Sequence, residues 1–440
     1  MRARLEETVR HARLRSPFYR GKYASLPREI RDIGILPSVS KRELMENFDA
    51  WATDPAVRRE TADAFVADPS RIGQLYLDRY VAFSSSGTTG SPVILLQDSA
   101  AMTVYQALFL ERRIPSLLSA RDLFPLLKCH VRIATIIATG GHFASSVVDA
   151  RARVHWPRLY GRNRTFSLMS PMPELVDALN DYRPAVVGTY PTALAVLAEE
   201  QAAGRLRIRP ALLLSGAERL SRPLAERISA AFRCPVRDTY AASEFMGIAF
   251  DCRLGRMHVN ADWVVLEPVD AEGRPSLPGE PSRTTLLTNL ANRLQPLIRY
   301  DLGDSVTTMP ERCPCGSPLP VVRPEGRRDE TLRVEREDGT SVPLLPLVLA
   351  TVIEETTGLS RYQLLQAGPS ALRLRFEEAP GLDRAQVGAE AERRLRAYLS
   401  SVGVGAVSIE RSEERPQVNP SGGKTRSFLV ERSSTSSRSP

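Results

Sequence analysis

Seven small residues in succession, SSSGTTG at Ser84–Gly90, form the stretch of the sequence with the clearest chemical use. Serine and threonine hydroxyls and unobstructed glycine N–H groups can surround phosphate oxygens. A polar hairpin turn is the alternative, but it needs fewer such residues, so the run predicts a phosphate-binding loop. It is not a Walker loop, because no Gly-Lys-Ser/Thr follows and the next segment, PVILLQ, is typical of a strand.

Four further residues have the composition of a structural zinc site. Cys252 and His258 lie in CRLGRMH, and Cys313 and Cys315 lie in CPCG. Three thiolates and one imidazole complete a tetrahedral set that leaves no position for water. Cys-x-Cys is less usual than Cys-x-x-Cys, so unrelated reduced cysteines remain the alternative. The odd total of five cysteines argues against a disulfide framework.

Lysine is rare in this chain. Of the 59 basic residues only four are lysine, namely Lys22, Lys41, Lys128 and Lys424. Because arginine supplies ordinary positive charge here, a lysine within a special loop is a candidate for a task that needs a compact ammonium. Lys424 lies in NPSGGKTR, where the alternative is a solvated lysine in a flexible tail. The GGKT also resembles the end of a Walker loop, but Val418 stands where that motif has glycine.

Composition restricts the class of protein. The chain has 440 residues, of which 42% are hydrophobic and 25% charged, as is typical of soluble globular proteins with about two to three domains. There is no apolar run of about 18 residues, and the charged N-terminus lacks a signal-peptide core, so we expect a cytoplasmic protein without a membrane span. The net charge of +8 comes from dispersed arginines, which favours a solvated basic surface.

The pattern of apolar runs predicts an α/β fold. Strands are predicted near 79–83, 92–97, 131–139, 184–188 and 211–215, with helices between several of them. Ser99 is a candidate N-cap for a helix over 99–113, Pro191 opens another helix, and Ser221 caps a third. A smaller α/β unit follows from Arg327, with helices near 346–357 and 383–401.

Five segments, in order, resemble the adenylate-forming superfamily of acyl- and aryl-CoA synthetases. They are SSSGTTGSP (84–92), DTYAASE (238–244), IRYDLGD (298–304), GRRDE (326–330) and NPSGGKTR (419–426). Within the superfamily the chain looks most like the phenylacetate–CoA ligase branch. The segments that carry this likeness are ARLRSPFYRGKY, LPSVSKREL and GTYPTALAVLAEE.

The resemblance implies a domain organisation. A large N-terminal domain, 1–325, would have mixed and parallel sheets flanked by helices and would bind ATP and the acid. Within it, zinc would hold together the region 250–316. A small mobile α+β lid domain would cover 326–431, with Asp329 as the hinge. Independently of the resemblance, the low hydrophobic content of the last stretch predicts a disordered tail at 432–440. The hinge lets the lid rotate between adenylation and thiol attack.

The resemblance also implies the role of each motif. Lys424, Glu244 and Arg299 would be catalytic. Lys424 would touch both the α-phosphate and the substrate carboxylate, Glu244 would bind Mg²⁺, and Arg299 would lie near the phosphates and ribose. Tyr240 would pack on adenine, with Ser215, Gly216 and Ala217 lining the same base. Asp304 would accept hydrogen bonds from the ribose hydroxyls. The other implied nucleotide contacts are Ser84, Ser85, Ser86, Gly87, Thr88, Thr89, Gly90, Asp238 and Ser243.

An acid pocket is implied beside these motifs. Its expected lining is Gly140, Gly141, His142, Phe143, Ala241 and Ala242. The glycines would let a flat ring approach the backbone, which favours an aromatic acid, although a lone His or Phe is about as often a core residue. Ala241 departs from the family, which usually has glycine there, so the floor of the pocket and the identity of the acid are open.

The implied reaction joins a carboxylic acid to ATP with Mg²⁺, releases pyrophosphate, and passes the acyl group to the thiol of CoA. The same scaffold also serves enzymes that use an amine or another acceptor, and nothing in the C-terminal segment requires CoA. A zinc-stabilised nucleic-acid-binding protein is a third reading, disfavoured by the absence of basic clusters interleaved with aromatic residues. Thus we expect neither nucleic acid nor a membrane as a partner, and a homodimer is possible.

Overall fold

The computed structural model describes residues 1–30, 32–85, 93–117, 132–138, 142–155, 157–325, 332–336, 338–344, 346–356, 358–379, 381–417 and 427–430. The described residues divide into two compact units. The larger comprises the described parts of Met1–Ser85, Val93–Phe166 and Ala178–Arg327. The smaller comprises Ser167–Asp177 and the described part of Arg328–Pro440.

A nine-stranded mixed sheet is the main layer of the larger unit, with strand order β13-β14-β9-β8-β7-β6-β5-β3-β4. Its strands are β3 (Ile133–Ile137), β4 (Asn163–Ser167), β5 (Val186–Thr189), β6 (Leu212–Gly216), β7 (Val236–Ala242), β8 (Phe245–Asp251), β9 (Met257–Val259), β13 (Val306–Met309) and β14 (Val321–Pro324). Strands β3, β5, β6 and β7 pair in parallel, and those from β7 through β8, β9 and β14 to β13 pair antiparallel.

Two smaller sheets complete the strands of this unit. Strands β1 (Val81–Ser85) and β2 (Val93–Gln97) form an antiparallel pair, and β10 (Val264–Val269), β11 (Thr284–Asn289) and β12 (Tyr300–Asp301) form a three-stranded sheet. Every residue of β2, VILLQ, is buried. Continuous apolar runs of this kind are typical of strands covered on both faces.

The helices of the larger unit cover these sheets and fill its N-terminal part. They are α1 (Arg2–Arg15), α2 (Pro17–Lys22), α3 (Lys41–Glu46), α4 (Phe48–Trp51), α5 (Arg59–Ala67), α6 (Ser99–Leu108), α7 (Ile114–Leu117), α8 (Ala144–His155), α9 (Pro157–Tyr160), α10 (Met172–Tyr182), α11 (Pro191–Ala202) and α12 (Arg222–Phe232). Helix α10 begins within the segment assigned to the smaller unit.

The N-terminal segment is joined to the chain around residue 300 by specific hydrogen bonds. Val39 pairs in parallel with Tyr300, and the Trp51 indole N–H donates to the Pro296 carbonyl at 2.8 Å. Trp51 is fully buried. These contacts place the start of α3 beside β12, and Lys41 is the first residue of α3.

The smaller unit has its own sheets. Strands β15 (Leu332–Glu335) and β16 (Ser341–Leu344) form a hairpin, and a four-stranded sheet has the order β19-β18-β17-β20. Its strands are β17 (Leu359–Gly368), β18 (Ala371–Glu378), β19 (Ser408–Arg411) and β20 (Phe428–Val430), and its helices are α13 (Pro346–Glu354) and α14 (Arg384–Ser401). Asp383 caps α14 through the Ala385 N–H at 2.8 Å.

The α/β fold class predicted from the sequence is confirmed, and so are the predicted starts of two helices. Pro191 is the first residue of α11, and the Ser221 hydroxyl accepts a hydrogen bond from the Leu224 N–H at 3.4 Å. The prediction for 99–113 was partly wrong. The N-cap is Asp98, whose carboxylate accepts the Ala101 N–H at 2.7 Å, and Phe109–Arg113 is a π-helical turn. Among the described residues, no helix is long and apolar enough to cross a membrane.

Candidate active site

Parallel strands β5, β6 and β7 bring three polar side chains into one row, near the carboxyl ends of β5 and β6 and within β7. Thr189 pairs with Ser215, and Ser215 pairs with Asp238. Directly paired residues of neighbouring strands point to the same face of a sheet. Ligands of open α/β sheets bind outside this end of the strands. The row therefore marks a candidate binding edge, and it includes two of the predicted nucleotide contacts.

The Asp238 carboxyl is buried and lies close to other charged side chains. Burial raises the pKa of its carboxyl to about 7, although the nearby Ser215 hydroxyl and Thr239 N–H act in the opposite direction. The neighbouring Asp251 accepts the Asp238 backbone N–H at 3.0 Å. Asp251 also forms an ion pair of 2.6 Å with Arg113, and both side chains are almost completely buried. This network fixes β7 against β8 just below the binding edge.

Replacing Asp238 by asparagine is expected to flatten the pH dependence of stability between about pH 4 and 7. Because the pKa is raised in the folded state, the stability that Asp238 contributes is complete below pH 3.8 and is lost as pH rises towards 7. One pKa unit corresponds to about 1.4 kcal/mol. Urea unfolding of the wild type and the variant across this range measures the effect. The exposed Asp181→Asn is the control, and parallel profiles of wild type and Asp238→Asn would contradict the assignment.

Tyr240, Asp304 and Glu244 come together at the end of β7. The Tyr240 hydroxyl donates to the Asp304 carboxylate at 3.1 Å. Burial raises the pKa of Glu244, a hydrogen bond from Tyr300 lowers it, the nearby Asp304 raises it, and the Lys41 ammonium lowers it. The Glu244 carboxyl therefore lies within electrostatic reach of Asp304, and carboxylate oxygen is a ligand that Mg²⁺ prefers.

Buried amides hold the turn that carries Glu244. Gln97, at the end of β2, donates to the Ser243 carbonyl at 3.3 Å, and Asn289, at the end of β11, donates to the Glu244 carbonyl at 2.8 Å. The Tyr105 hydroxyl links the two amides, at 3.1 Å from Gln97 and 2.9 Å from Asn289. Gln97 and Asn289 are fully buried. A fully satisfied polar network of this kind rigidifies the backbone it holds.

Part of the predicted phosphate loop is described. Ser84 and Ser85 end β1 and pair with Ile94 and Val93 of β2. The Ser84 N–H donates to the His142 carbonyl at 2.8 Å. The predicted site residues that lie outside the described residues are Ser86, Gly87, Thr88, Thr89, Gly90, Gly140, Gly141, Asp329 and Lys424.

Other predicted residues have contacts of their own. The guanidinium of Arg299 pairs with Glu267 at 3.1 Å and donates to the carbonyls of Gly34 and Leu36. Its role at the nucleotide stays a prediction. His142 is buried with its ring 5.5 Å from that of Phe65, as is typical of a core residue, and Phe143 next to it is half-buried.

The floor predicted for the acid pocket lies at an irregular part of the sheet. Ala242 pairs with Phe245, and the register between β7 and β8 shifts between Tyr240 and Ala242. Ala241 stands at this shift. A bulge alters the direction of side chains relative to a regular strand.

The four predicted zinc ligands form a tight cluster. The ligand atoms of Cys252, His258, Cys313 and Cys315 all lie within 4.8 Å of one another. The Cys252 and Cys313 sulfurs are 3.8 Å apart, and the Cys315 sulfur is 3.4 Å from His258 Nε2. A tetrahedron with Zn–S bonds of about 2.3 Å has S–S edges of about 3.8 Å. The donor set and its spacing therefore fit zinc.

Local backbone features orient these ligands. His258 Nδ1 lies 3.1 Å from the Leu319 carbonyl, which leaves Nε2 for a metal. The N–H groups of Leu254 and Ser317 donate to the Cys252 and Cys315 sulfurs, each at 3.4 Å. Cys252 follows β8, His258 lies on β9, and the other cysteines precede β14. The cluster thus joins the β8–β9 turn to the β13–β14 connection.

Solved structures of known enzymes share this architecture. The chain aligns over 98% of its length, and over 88% of the other chain, with 2-hydroxyisobutyryl-CoA ligase in the postadenylation state in complex with R3-HIB-AMP, at a TM-score of 0.55 and 19% identity. The same enzyme with 2-HIB-AMP and CoA in the thioesterification state gives a TM-score of 0.57 at 20% identity and the same coverage. The chain has the adenylate-forming fold.

Sequence comparison adds one limited match to this adenylate-forming fold. Protein CapK of Staphylococcus aureus is 26% identical over 133 residues, which are 30% of this chain and 28% of CapK. The match thus spans less than a third of CapK. No protein-family model matches the chain.

Several residues that shape the site were not predicted from the sequence. Arg113 and Asp251 form their ion pair across 138 positions, and Gln97 and Asn289 hold the Ser243–Glu244 turn. No local spacing points to such pairs. The sequence did contain a signal that could have identified Glu218, because this residue directly follows the predicted adenine contacts Ser215, Gly216 and Ala217.

Proposed function

We propose that the protein uses ATP and Mg²⁺ to convert a carboxylic acid to an acyl-adenylate with release of pyrophosphate, and then transfers the acyl group to the thiol of CoA. The observation that carries this proposal is the convergence of Tyr240, Asp304 and Glu244 at the end of β7, in an adenylate-forming fold. These are the residues to which the motifs assign adenine, ribose and Mg²⁺.

The chemistry requires positioning and charge compensation, since a carboxylate must approach the α-phosphorus of ATP. In this proposal Tyr240 packs on adenine and Asp304 accepts hydrogen bonds from the ribose. Glu244 would hold Mg²⁺, which would offset the negative charge of the phosphates. Ser84–Gly90 would surround the β- and γ-phosphates, and the Lys424 ammonium would reduce repulsion between the two anions. No nucleophilic side chain is needed.

Zinc is proposed as a structural ion held by Cys252, His258, Cys313 and Cys315. All four ligand positions would be filled by protein, so the ion would not touch the substrate. The support is the 3.8 Å sulfur separation together with the hydrogen bonds that orient His258 and two of the sulfurs. The ion would stabilise a region made of short strands.

The substrate class is proposed from the pocket segments. A phenylacetate–CoA ligase-like enzyme acting on an aromatic acid would suit the glycines at 140 and 141 and the small side chains of Ala241 and Ala242. The methyl group of Ala241, where related enzymes usually have glycine, would narrow the floor of the pocket at the register shift between β7 and β8.

A panel of aromatic, arylacetic and short aliphatic acids tests the function. Pyrophosphate release is measured with ATP and Mg²⁺ for each acid, with and without CoA. We expect release with one or more aromatic acids and formation of the corresponding acyl-CoA. If adenylation occurs without formation of any acyl-CoA, but the acyl group is transferred to an added amine, then the acceptor is an amine and not CoA. No acid-dependent release would contradict the proposal.

Tyr240→Phe is expected to weaken ATP binding by about 10-fold or more, because the variant loses the 3.1 Å hydrogen bond that orients Asp304, and hydrogen bonds to charged groups contribute about 1.5–3 kcal/mol. Titration calorimetry with ATP and Mg²⁺ measures the affinity. Tyr182→Phe is the matched control, since it also loses one hydroxyl, which donates to the Arg162 carbonyl at the opposite end of the sheet. Equal affinities of Tyr240→Phe and wild type would contradict the assignment.

A further inference from the structure

Glu218, which follows β6, forms hydrogen bonds with the start of a neighbouring helix, α11. Its carboxylate accepts the Thr192 backbone N–H at 3.0 Å and the Thr192 hydroxyl at 3.1 Å. Thr192 is the second residue of α11, and Tyr190, the N-cap of that helix, makes no side-chain cap hydrogen bond. Glu218 therefore supplies from another segment both the missing cap and a negative charge at the positive end of the helix.

The residue before Glu218 has an unfavourable backbone conformation. Ala217 has φ of +67°, in the left-handed region, which costs a residue with a Cβ about 1–2 kcal/mol. The contact of Glu218 with α11 is positioned to hold Ala217 in this conformation.

We propose that Glu218 is a positioning residue for the nucleotide, which keeps the backbone of Ser215–Ala217 in the left-handed turn against which adenine packs. This inference rests on the proposed function, because it needs a bound nucleotide whose adenine lies at Ser215–Ala217, as the motif resemblance implies. Without the carboxylate, Ala217 would relax to a negative φ and the turn would move. Glu218 itself need not touch the nucleotide.

Glu218→Ala is expected to weaken ATP binding by about 10-fold, measured by titration calorimetry with ATP and Mg²⁺, which needs no knowledge of the acid. Adding Ala217→Gly should restore part of the affinity, because glycine adopts positive φ without a steric penalty. Glu218→Gln keeps acceptor capacity for Thr192 and should bind ATP better than Glu218→Ala. If the alanine variant does not fold, Glu218→Gln takes its place in the comparison with the wild type. The control is Glu226→Ala on α12, whose carboxylate pairs with the exposed Arg222.

The rescue distinguishes positioning from a general loss of stability. A purely structural role predicts a lower melting temperature for Glu218→Ala, unchanged ATP affinity, and no gain in affinity from Ala217→Gly. That outcome would overturn the inference and leave the proposed function standing. Failure of the wild-type protein to bind ATP would instead overturn the proposed function, and this inference with it.

Discussion

Lys424→Ala is expected to abolish adenylate formation while ATP remains bound. In the proposed reaction the Lys424 ammonium offsets the repulsion between the substrate carboxylate and the α-phosphate, and it does so only as the two anions meet. Removal of one positioned group that stabilises developing charge costs about 100- to 1,000-fold in turnover. Pyrophosphate release with the best acid of the panel measures the first step, and titration calorimetry measures ATP binding.

Two controls accompany this variant. Lys22→Ala also removes a lysine, but one that pairs with Glu43 at 2.6 Å in the N-terminal segment, so it should retain adenylation. Lys424→Arg keeps the charge in a wider, planar group and should recover only part of the activity. Full adenylation by Lys424→Ala would remove the assigned role. Lys424 lies outside the described residues, and its role stays a prediction from the sequence.

Cys313→Ser is expected to lower zinc content and stability together. The Cys313 sulfur lies 3.8 Å from that of Cys252, within the cluster of four ligand atoms, and loss of one thiolate opens a closed tetrahedral site. Because the cluster joins the β8–β9 turn to the β13–β14 connection, we expect a loss of about 3 kcal/mol or more in the free energy of unfolding. Elemental analysis and urea unfolding of the same preparations measure the two quantities.

Cys234→Ala is the matched control for the metal site. Cys234 is buried and does not belong to the cluster of four ligand residues, and burial raises the pKa of its thiol to about 12. Its replacement should reduce stability modestly through lost packing and leave zinc content unchanged. Wild-type zinc content in Cys313→Ser, or the absence of zinc from the wild-type protein, would contradict the proposed site.

Features with a local physical cause were predicted well from the sequence. Proline at the first position of α11 and serine before α12 act within one helical turn, so the residues alone indicate where those helices begin. The four cluster residues were also found, because their side chains have few chemical uses in combination. Ser99 was a wrong N-cap because the Asp98 carboxylate, one residue earlier, reaches the Ala101 N–H.

Contacts between distant segments could not be predicted in this way. Glu218 caps a helix that begins 27 positions earlier in the chain, and Arg113 meets Asp251 across 138 positions, so neither pair leaves a spacing pattern. The surroundings of Arg299 also depend on the fold, since its partner Glu267 lies on β10 and its other contacts are carbonyls near residue 35. Only the tertiary arrangement brings these groups together.

The fate of a carboxylate oxygen tests the central claim most directly. If the carboxylate attacks the α-phosphorus of ATP, one of its oxygens bridges the acyl group and AMP, and acyl transfer then leaves that oxygen on AMP. An acid labelled with oxygen-18 in its carboxylate, incubated with the protein, ATP, Mg²⁺ and CoA, should therefore yield AMP that carries one heavy oxygen in mass spectrometry. Product formation with unlabelled AMP, or with the label in inorganic phosphate beside ADP, would contradict the account.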